Sequence, residues 1–170
     1  LFAFGSYVIN DCFDYYVDMI NKPDGVFQER KMSLKQGFGL SFILFSIGII
    51  ISQTMNSNIQ HLTIKNCLLL ILYTPFFKEI TLIKNMLCSY VIANSVLMSS
   101  LPNTYCRWIS IFNSRRLSTK YFYISVFLMT MHNEINYDIR DVIGDKVMNI
   151  YTLPVKYGIK NSIKISKIFK

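Results

Sequence analysis

N-E-I-N-Y-D-I-R-D-V-I-G-D, residues Asn133 to Asp145, decides how the chain is read. Its aspartates, Asp138, Asp141 and Asp145, are spaced i, i+3, i+7. On an α-helix that spacing puts all three on one face. An apolar run, Tyr121 to Met131, leads into the stretch, so a helix is expected whose far end carries a stripe of like charges. Such a stripe repels itself unless a cation faces it, and an all-oxygen ligand set suits Mg²⁺. A second stretch near the start, N-D-C-F-D-Y-Y-V-D (Asn10 to Asp18), repeats the same spacing with Asp11, Asp14 and Asp18. These two clusters hold six of the ten acidic residues, and the remaining sequence reads as a scaffold that brings them together.

The scaffold is apolar. Of 170 residues, 52% are hydrophobic and only 16% are charged, against about 25% in an ordinary soluble domain. No Asp, Glu, Lys or Arg occurs from Gln36 to Ile64 or from Asn85 to Cys106. Runs of that length suit bilayer-spanning helices, which need about 20 residues. The fold class expected is all-α, a polytopic transmembrane helix bundle. Leu1 already lies inside an apolar segment, and Lys164 to Lys170 resembles the approach to another helix. Residues 1–170 are therefore read as a single domain truncated at both ends. The net charge of +8 is the sign that loop lysines beside membrane spans produce, so the bilayer rather than nucleic acid is the expected partner. Cys12, Cys67, Cys88 and Cys106 have no CxxC spacing and no paired histidines, which makes them buried thiols rather than zinc ligands.

Five helical segments are expected. Segment A runs from Leu1 to about Asn21 and ends at Asn21-Lys22-Pro23-Asp24-Gly25. B covers Gln36 to Met55, C Ile59 to Phe77, D Asn85 to Leu101, and E Lys120 to Gly144. If each segment crosses, A and E deliver both aspartate clusters to the same face. That face also collects thirteen of the 18 basic residues. The positive-inside rule then places it on the cytoplasmic, stromal or matrix side.

An aspartate at the bilayer centre costs about 2.5–3.5 kcal/mol on insertion scales, so six call for a reason. They could simply be the water-exposed ends of helices, but surface acids have no cause to repeat one stripe twice. An ion-coupled transporter would scatter its acids singly at mid-depth. Two facing carboxylate stripes with basic residues nearby suit a metal–diphosphate site, with lysines neutralising the remaining charge. An apolar bundle beneath could hold a hydrocarbon tail. Together these features describe a membrane enzyme that ionises a polyprenyl diphosphate.

At these residues the chain resembles the UbiA family of intramembrane prenyltransferases. Asn10, Asp11, Asp14 and Asp18 match the family's N-D-x-x-D-x-x-x-D, and Asn21 and Pro23 match the N-x-P that often follows. Asp138, Asp141 and Asp145 match D-x-x-D-x-x-x-D, flanked by Gly144-Asp145-Lys146 and Thr152-Leu153-Pro154. Lys84-Asn85, after Tyr73 and Lys78, fits the loop between the family's third and fourth helices. The resemblance covers nearly the whole chain. It implies a nine-helix bundle of which this chain holds about five spans, the second to the sixth. It also implies a Mg²⁺-dependent transfer of a polyprenyl group from its diphosphate to a lipophilic or aromatic acceptor. Metal would be held by Asn10, Asp11, Asp14 and Asp18 on one side and by Asp138, Asp141 and Asp145 on the other. Asp14, Asp18, Asp138 and Asp145 are the residues that would carry catalysis. Asn10, Asn21, Tyr73, Lys78, Lys84 and Lys146 would contact the diphosphate, and Tyr15, Tyr16 and Tyr137 could cover the cation.

Two features depart from the family. Gly25 to Arg30 replaces the usual R-P-x-P-S-G, with Arg30 as a substitute arginine, and Arg140 puts a cation between two metal-binding aspartates. These departures motivate a second reading, a catalytically impaired prenyl- or lipid-binding membrane protein. E-I-x-x-D-I-x-D-x-x-G-D looks closest to the archaeal-type enzymes that alkylate geranylgeranylglyceryl phosphate, with the homogentisate branch next and the 4-hydroxybenzoate branch ranked lower. Soluble prenyl diphosphate synthases use D-D-x-x-D, which this chain lacks. His61 and His132 receive no catalytic role.

Overall fold

The computed structural model describes residues 1–73, 77, 80–100 and 114–170, and every regular element among them is helical. In chain order these are α1 (Phe2–Phe13), α2 (Tyr15–Asn21), α3 (Leu34–Ser52), α4 (Ser57–Leu72), α5 (Ile83–Ser100), α6 (Ser114–Arg140), α7 (Val142–Val147), α8 (Leu153–Tyr157) and α9 (Ile159–Ile168).

Local chemistry sets the starts. Ser33 opens α3 with a capping box: its Oγ accepts from the Gln36 N–H, and its own N–H donates to Gln36 Oε1. Asn56 caps α4 by accepting from the Ile59 N–H at 3.1 Å. Gly158, at φ +82°, makes the corner between α8 and α9.

Segments A and E are not straight. A divides at Asp14 (φ −84°, ψ 6°) and E at Asp141 (φ −91°, ψ 8°), each the middle aspartate of its cluster. Neither break sits on glycine or proline.

The packing is polar inside and apolar outside. α3 buries Gly37, Ser41, Phe45, Gly48 and Ser52, a helical stripe made mostly of small residues, while Phe42 and Ile50 on its outer face are 73% and 67% exposed. Gly37 is required to be small, since a Cβ there would lie 2.6 Å from Phe27 Cζ and closer still to Cys12 Sγ. Asn94 on α5 donates to Asn66 Oδ1 on α4 at 2.7 Å, and Tyr123 on α6 donates to Asn94 Oδ1 at 3.4 Å. Ser166 on α9 donates to Asn136 Oδ1 at 3.0 Å and lies 2.7 Å from His132 Nδ1, joining α9 to α6. Small residues and interhelical hydrogen bonds are what hold helices together where the surroundings are themselves apolar.

Among the described residues one helix, α3, is long and apolar enough to cross a bilayer by length and composition alone, and Ile83–Met98 is a shorter apolar helix. The count of about five spans is thus not reproduced by that measure. Segment A is split, α4 carries Gln60, His61, Lys65 and Asn66, and α6 has charged residues at both ends. α6 is nevertheless 27 residues long, about 40 Å at 1.5 Å per residue.

α1 packs on α3, α6 lies along α5 and against α9, and α4 bridges to α3 and α5. The short helices beyond the two bends, α2 and α7, touch each other. That contact brings the two ends of the chain's acidic sequence together.

Candidate active site

A cavity of about 130 Å³ opens where α2 meets α7, lined by Asn10, Asp14, Val17, Asp18, Asn21, Lys22, Tyr73, Lys84, Glu134, Asp138, Asp141 and Asp145. Five aspartates from two stretches more than a hundred residues apart therefore share one space. Asp18, Asp138 and Asp145 are buried. Asp11 is not part of the lining.

Cations of the chain itself balance these carboxylates. Lys84 Nζ lies 2.5 Å from Asp138 Oδ1, with the two side chains only 11% and 8% exposed. Asn85, fully buried, donates to Asp138 Oδ2 at 3.0 Å. Lys22 pairs with Asp18 at 3.2 Å. The Arg140 guanidinium grips Asp141 with both arms, Nε to Oδ1 at 2.7 Å and Nη2 to Oδ2 at 2.8 Å, while its plane lies over the Tyr137 ring. Asn10 donates to Asp14 Oδ2 at 2.8 Å. Burial pushes the Asp145 carboxyl above its ordinary range, and the charge of Lys84 pulls it partly back.

The cavity floor changes character at Tyr73. The same ring borders a small apolar recess lined by Leu69, Leu70, Leu87, Cys88 and Val91. A polar, charged chamber and an apolar recess thus meet along one aromatic side chain.

Other sequence candidates fall elsewhere. Lys146 is exposed and absent from the lining, although its α7 neighbours Gly144 and Asp145 are buried. Lys78 lies outside the described residues. Tyr15, Tyr16 and Tyr137 do not line the cavity; Tyr16 and Tyr137 are 66% and 51% exposed, and Tyr137 instead supports Arg140. Arg30 sits at positive φ in an exposed loop away from the lining. Asn21 reaches the cavity, but its amide bonds the backbone of the second cluster: Nδ2 to Asp141 O at 3.1 Å, and Oδ1 from Gly144 N–H at 3.0 Å. His132 is held by Ser166 and Asn136, in keeping with a packing role.

Sequence reasoning gave no site role to Lys22 or Glu134, and named Asn85 only as part of the Lys84-Asn85 pair. Two signals were available. Glu134 lies four residues before Asp138, and Lys22 lies four after Asp18, so helical spacing puts each on its aspartate's face.

The donor set suits a hard divalent cation. Every acidic ligand facing the cavity is a carboxylate, and Asn10 Oδ1 is a buried acceptor with no partner. Among the described residues no three His, Cys, Asp or Glu side chains form a ready metal cage. Mg²⁺ is commonly held by one or two carboxylates with substrate phosphates and water completing the shell, so an open acidic chamber fits it.

Comparison with known proteins agrees with this architecture. The digeranylgeranylglyceryl phosphate synthase of Saccharolobus solfataricus is 32% identical over 168 residues, covering 99% of this chain and 57% of that protein. That of Sulfurisphaera tokodaii is 30% identical over 166 residues, covering 98% and 57%. A solved structure, described as giving insight into the biosynthesis of digeranylgeranylglyceryl phosphate synthase in membranes, superposes with a TM-score of 0.66 at 26% identity, covering 97% of this chain and 55% of that one. The chain therefore spans little more than half the length of the relatives it matches. The sequence model of the UbiA prenyltransferase family matches residues 1–169, and the chain belongs to that family.

Proposed function

We propose that this chain carries the diphosphate-binding half of a membrane prenyltransferase, which moves a polyprenyl group from its diphosphate to a glycerol-phosphate lipid acceptor. The observation that carries this reading is the single cavity in which both aspartate clusters meet Lys84 and Lys22 beside an apolar recess. The acceptor class is taken from the relatives' names.

Asn10, Asp14 and Asp18 would hold Mg²⁺ on one wall, and Asp138, Asp141 and Asp145 on the other. Bound there, Mg²⁺ would neutralise the diphosphate and favour its departure. Lys84 and Lys22 already lie among these carboxylates, and each can turn its ammonium from aspartate to phosphate oxygen. The bond between the allylic carbon and the diphosphate oxygen breaks, and its electron pair leaves with pyrophosphate. Tyr73 borders both the polar chamber and the apolar recess, where its ring would lie beside the allylic carbon and shield its developing positive charge. The acceptor hydroxyl oxygen then forms the new bond to the allylic carbon, and its proton passes to the departing pyrophosphate. The basic residues around the aspartates support, by the positive-inside rule, a cytoplasmic, stromal or matrix location for this face.

One observation favours a weakened version of this activity. Arg140 takes both oxygens of Asp141, so that carboxylate is available to a metal only after the guanidinium swings away. The test is an assay of the full-length protein with a panel of prenyl diphosphates and acceptors, with and without Mg²⁺. Mg²⁺-dependent transfer is expected, and Asp14→Ala and Asp138→Ala should each abolish it. Normal transfer by Asp138→Ala would refute the mechanism. Tight binding of a prenyl diphosphate analogue without turnover would identify a binding protein instead.

A further inference from the structure

We infer that Asn21 is a positioning residue that locks the two aspartate clusters together, rather than a ligand of the diphosphate; this rests on the prenyltransferase reading above. α7 begins at the bend after Asp141, and a helix start leaves its first backbone N–H groups without partners. The residue at the cap position usually supplies that partner. Here it is Asp141, and it makes no cap bond, because Arg140 holds both of its oxygens. Asn21 takes over from across the cleft: its Oδ1 accepts the Gly144 N–H at 3.0 Å, and its Nδ2 donates to Asp141 O at 3.1 Å. One amide thereby bonds both sides of the second bend from the last residue of α2.

Gly144 completes the fit. A Cβ there would stand 2.5 Å from Asn21 Nδ2 and Oδ1, so the close approach exists only because residue 144 is glycine. Asp18 lies three residues before Asn21, and Asp145 directly follows Gly144. The latch therefore fixes the distance between aspartates of opposite clusters. A diphosphate shared between metals on the two walls depends on that separation.

The test uses the full-length protein in lipid nanodiscs with Asn21→Ala, Gly144→Ala and their double variant. Hydrogen exchange is read first, without substrate or metal. Asn21→Ala should speed exchange of the Gly144 amide about tenfold, as loss of a helix cap does, while α9 amides keep their rates. An unchanged Gly144 rate overturns the latch. Mn²⁺ binding is then followed by electron paramagnetic resonance with a non-hydrolysable prenyl thiolodiphosphate. Each single variant should bind Mn²⁺ roughly tenfold more weakly, and the double variant no more weakly than the worse single, since both remove one contact. Additive losses overturn the inference. So does a raised KM for prenyl diphosphate at saturating metal with Mn²⁺ binding intact, the signature of a diphosphate ligand. If Asn21→Ala does not fold, Asn21→Ser, too short to span both backbone groups, is held to the same outcomes. Should the wild-type protein bind no prenyl diphosphate, the functional reading fails on its own, and hydrogen exchange still decides the latch.

Discussion

Replacing Lys84 with methionine removes the cation facing Asp138 while keeping most of the side-chain volume. At 2.5 Å and an effective dielectric constant of 20, the pair attracts by about 7 kcal/mol. Dehydrating the two ions offsets several kcal/mol each, so the pair adds little net stability. Breaking it is different, because a charge is then left buried and unpaired, at about 3–5 kcal/mol. Asn85 still donates to Asp138 Oδ2 at 3.0 Å, and the adjoining cavity gives water some access, so roughly 2–3 kcal/mol is expected for Lys84→Met. That corresponds to a roughly 30- to 160-fold shift in the unfolding equilibrium. Pairing it with Asp138→Asn removes the stranded charge and should return most of the lost stability, although transfer is abolished. Reversible unfolding of wild type, both singles and the double, in one detergent or bilayer system, completes the cycle. A Lys84→Met loss below about 0.5 kcal/mol, or a double variant as unstable as Lys84→Met, refutes the reasoning, since either means the charge is not effectively buried.

Three further outcomes follow from single contacts. Arg140→Ala should free both oxygens of Asp141 and lower the Mg²⁺ concentration needed for half-maximal transfer; an unchanged or raised requirement would show that the guanidinium does not compete with metal. Gly37→Ala forces a Cβ onto Phe27 and Cys12 and should destabilise by about 1–3 kcal/mol in an unfolding assay, whereas Gly39→Ala, inside the same helix, meets nothing within 4 Å and should be neutral or stabilising by up to about 1 kcal/mol. Ser41 Oγ is buried without a partner, so Ser41→Ala should be neutral or stabilising by up to about 1 kcal/mol in the same assay.

The acidic stripes were legible in sequence because helical spacing is a local property, and the capacity of the two ends to meet followed from counting segments. The bends were not legible. Nothing in the residue types at Asp14 or Asp141 breaks a helix, so no breaker residue marks either division. Lys146 and Asn21 show the consequence. Motif position put both on the diphosphate, yet past the bend at Asp141 Lys146 is exposed, and the amide of Asn21 is drawn to a backbone 120 residues away. Partners set by the third dimension, such as Lys84 for Asp138 or Asn85 beneath it, also leave no mark in spacing. Length and composition alone pick out only α3 among the described residues as a span, because helices packed through serine, threonine and asparagine look too polar by that measure.

The reversed packing of α3 bears on how the protein responds to temperature. In water-soluble domains, unfolding bares apolar surface and produces a large heat-capacity change, which bends the stability curve and yields cold denaturation. Here Phe42 and Ile50 already face outward, and the groups hidden between helices include Gly37, Ser41 and Asn94 beside apolar ones such as Phe45. Pulling the helices apart within a bilayer would bare little hydrocarbon to water. Loosening the bundle should therefore absorb little extra heat capacity, and its stability should fall almost linearly on warming, with no cold limit in the range where the bilayer stays fluid.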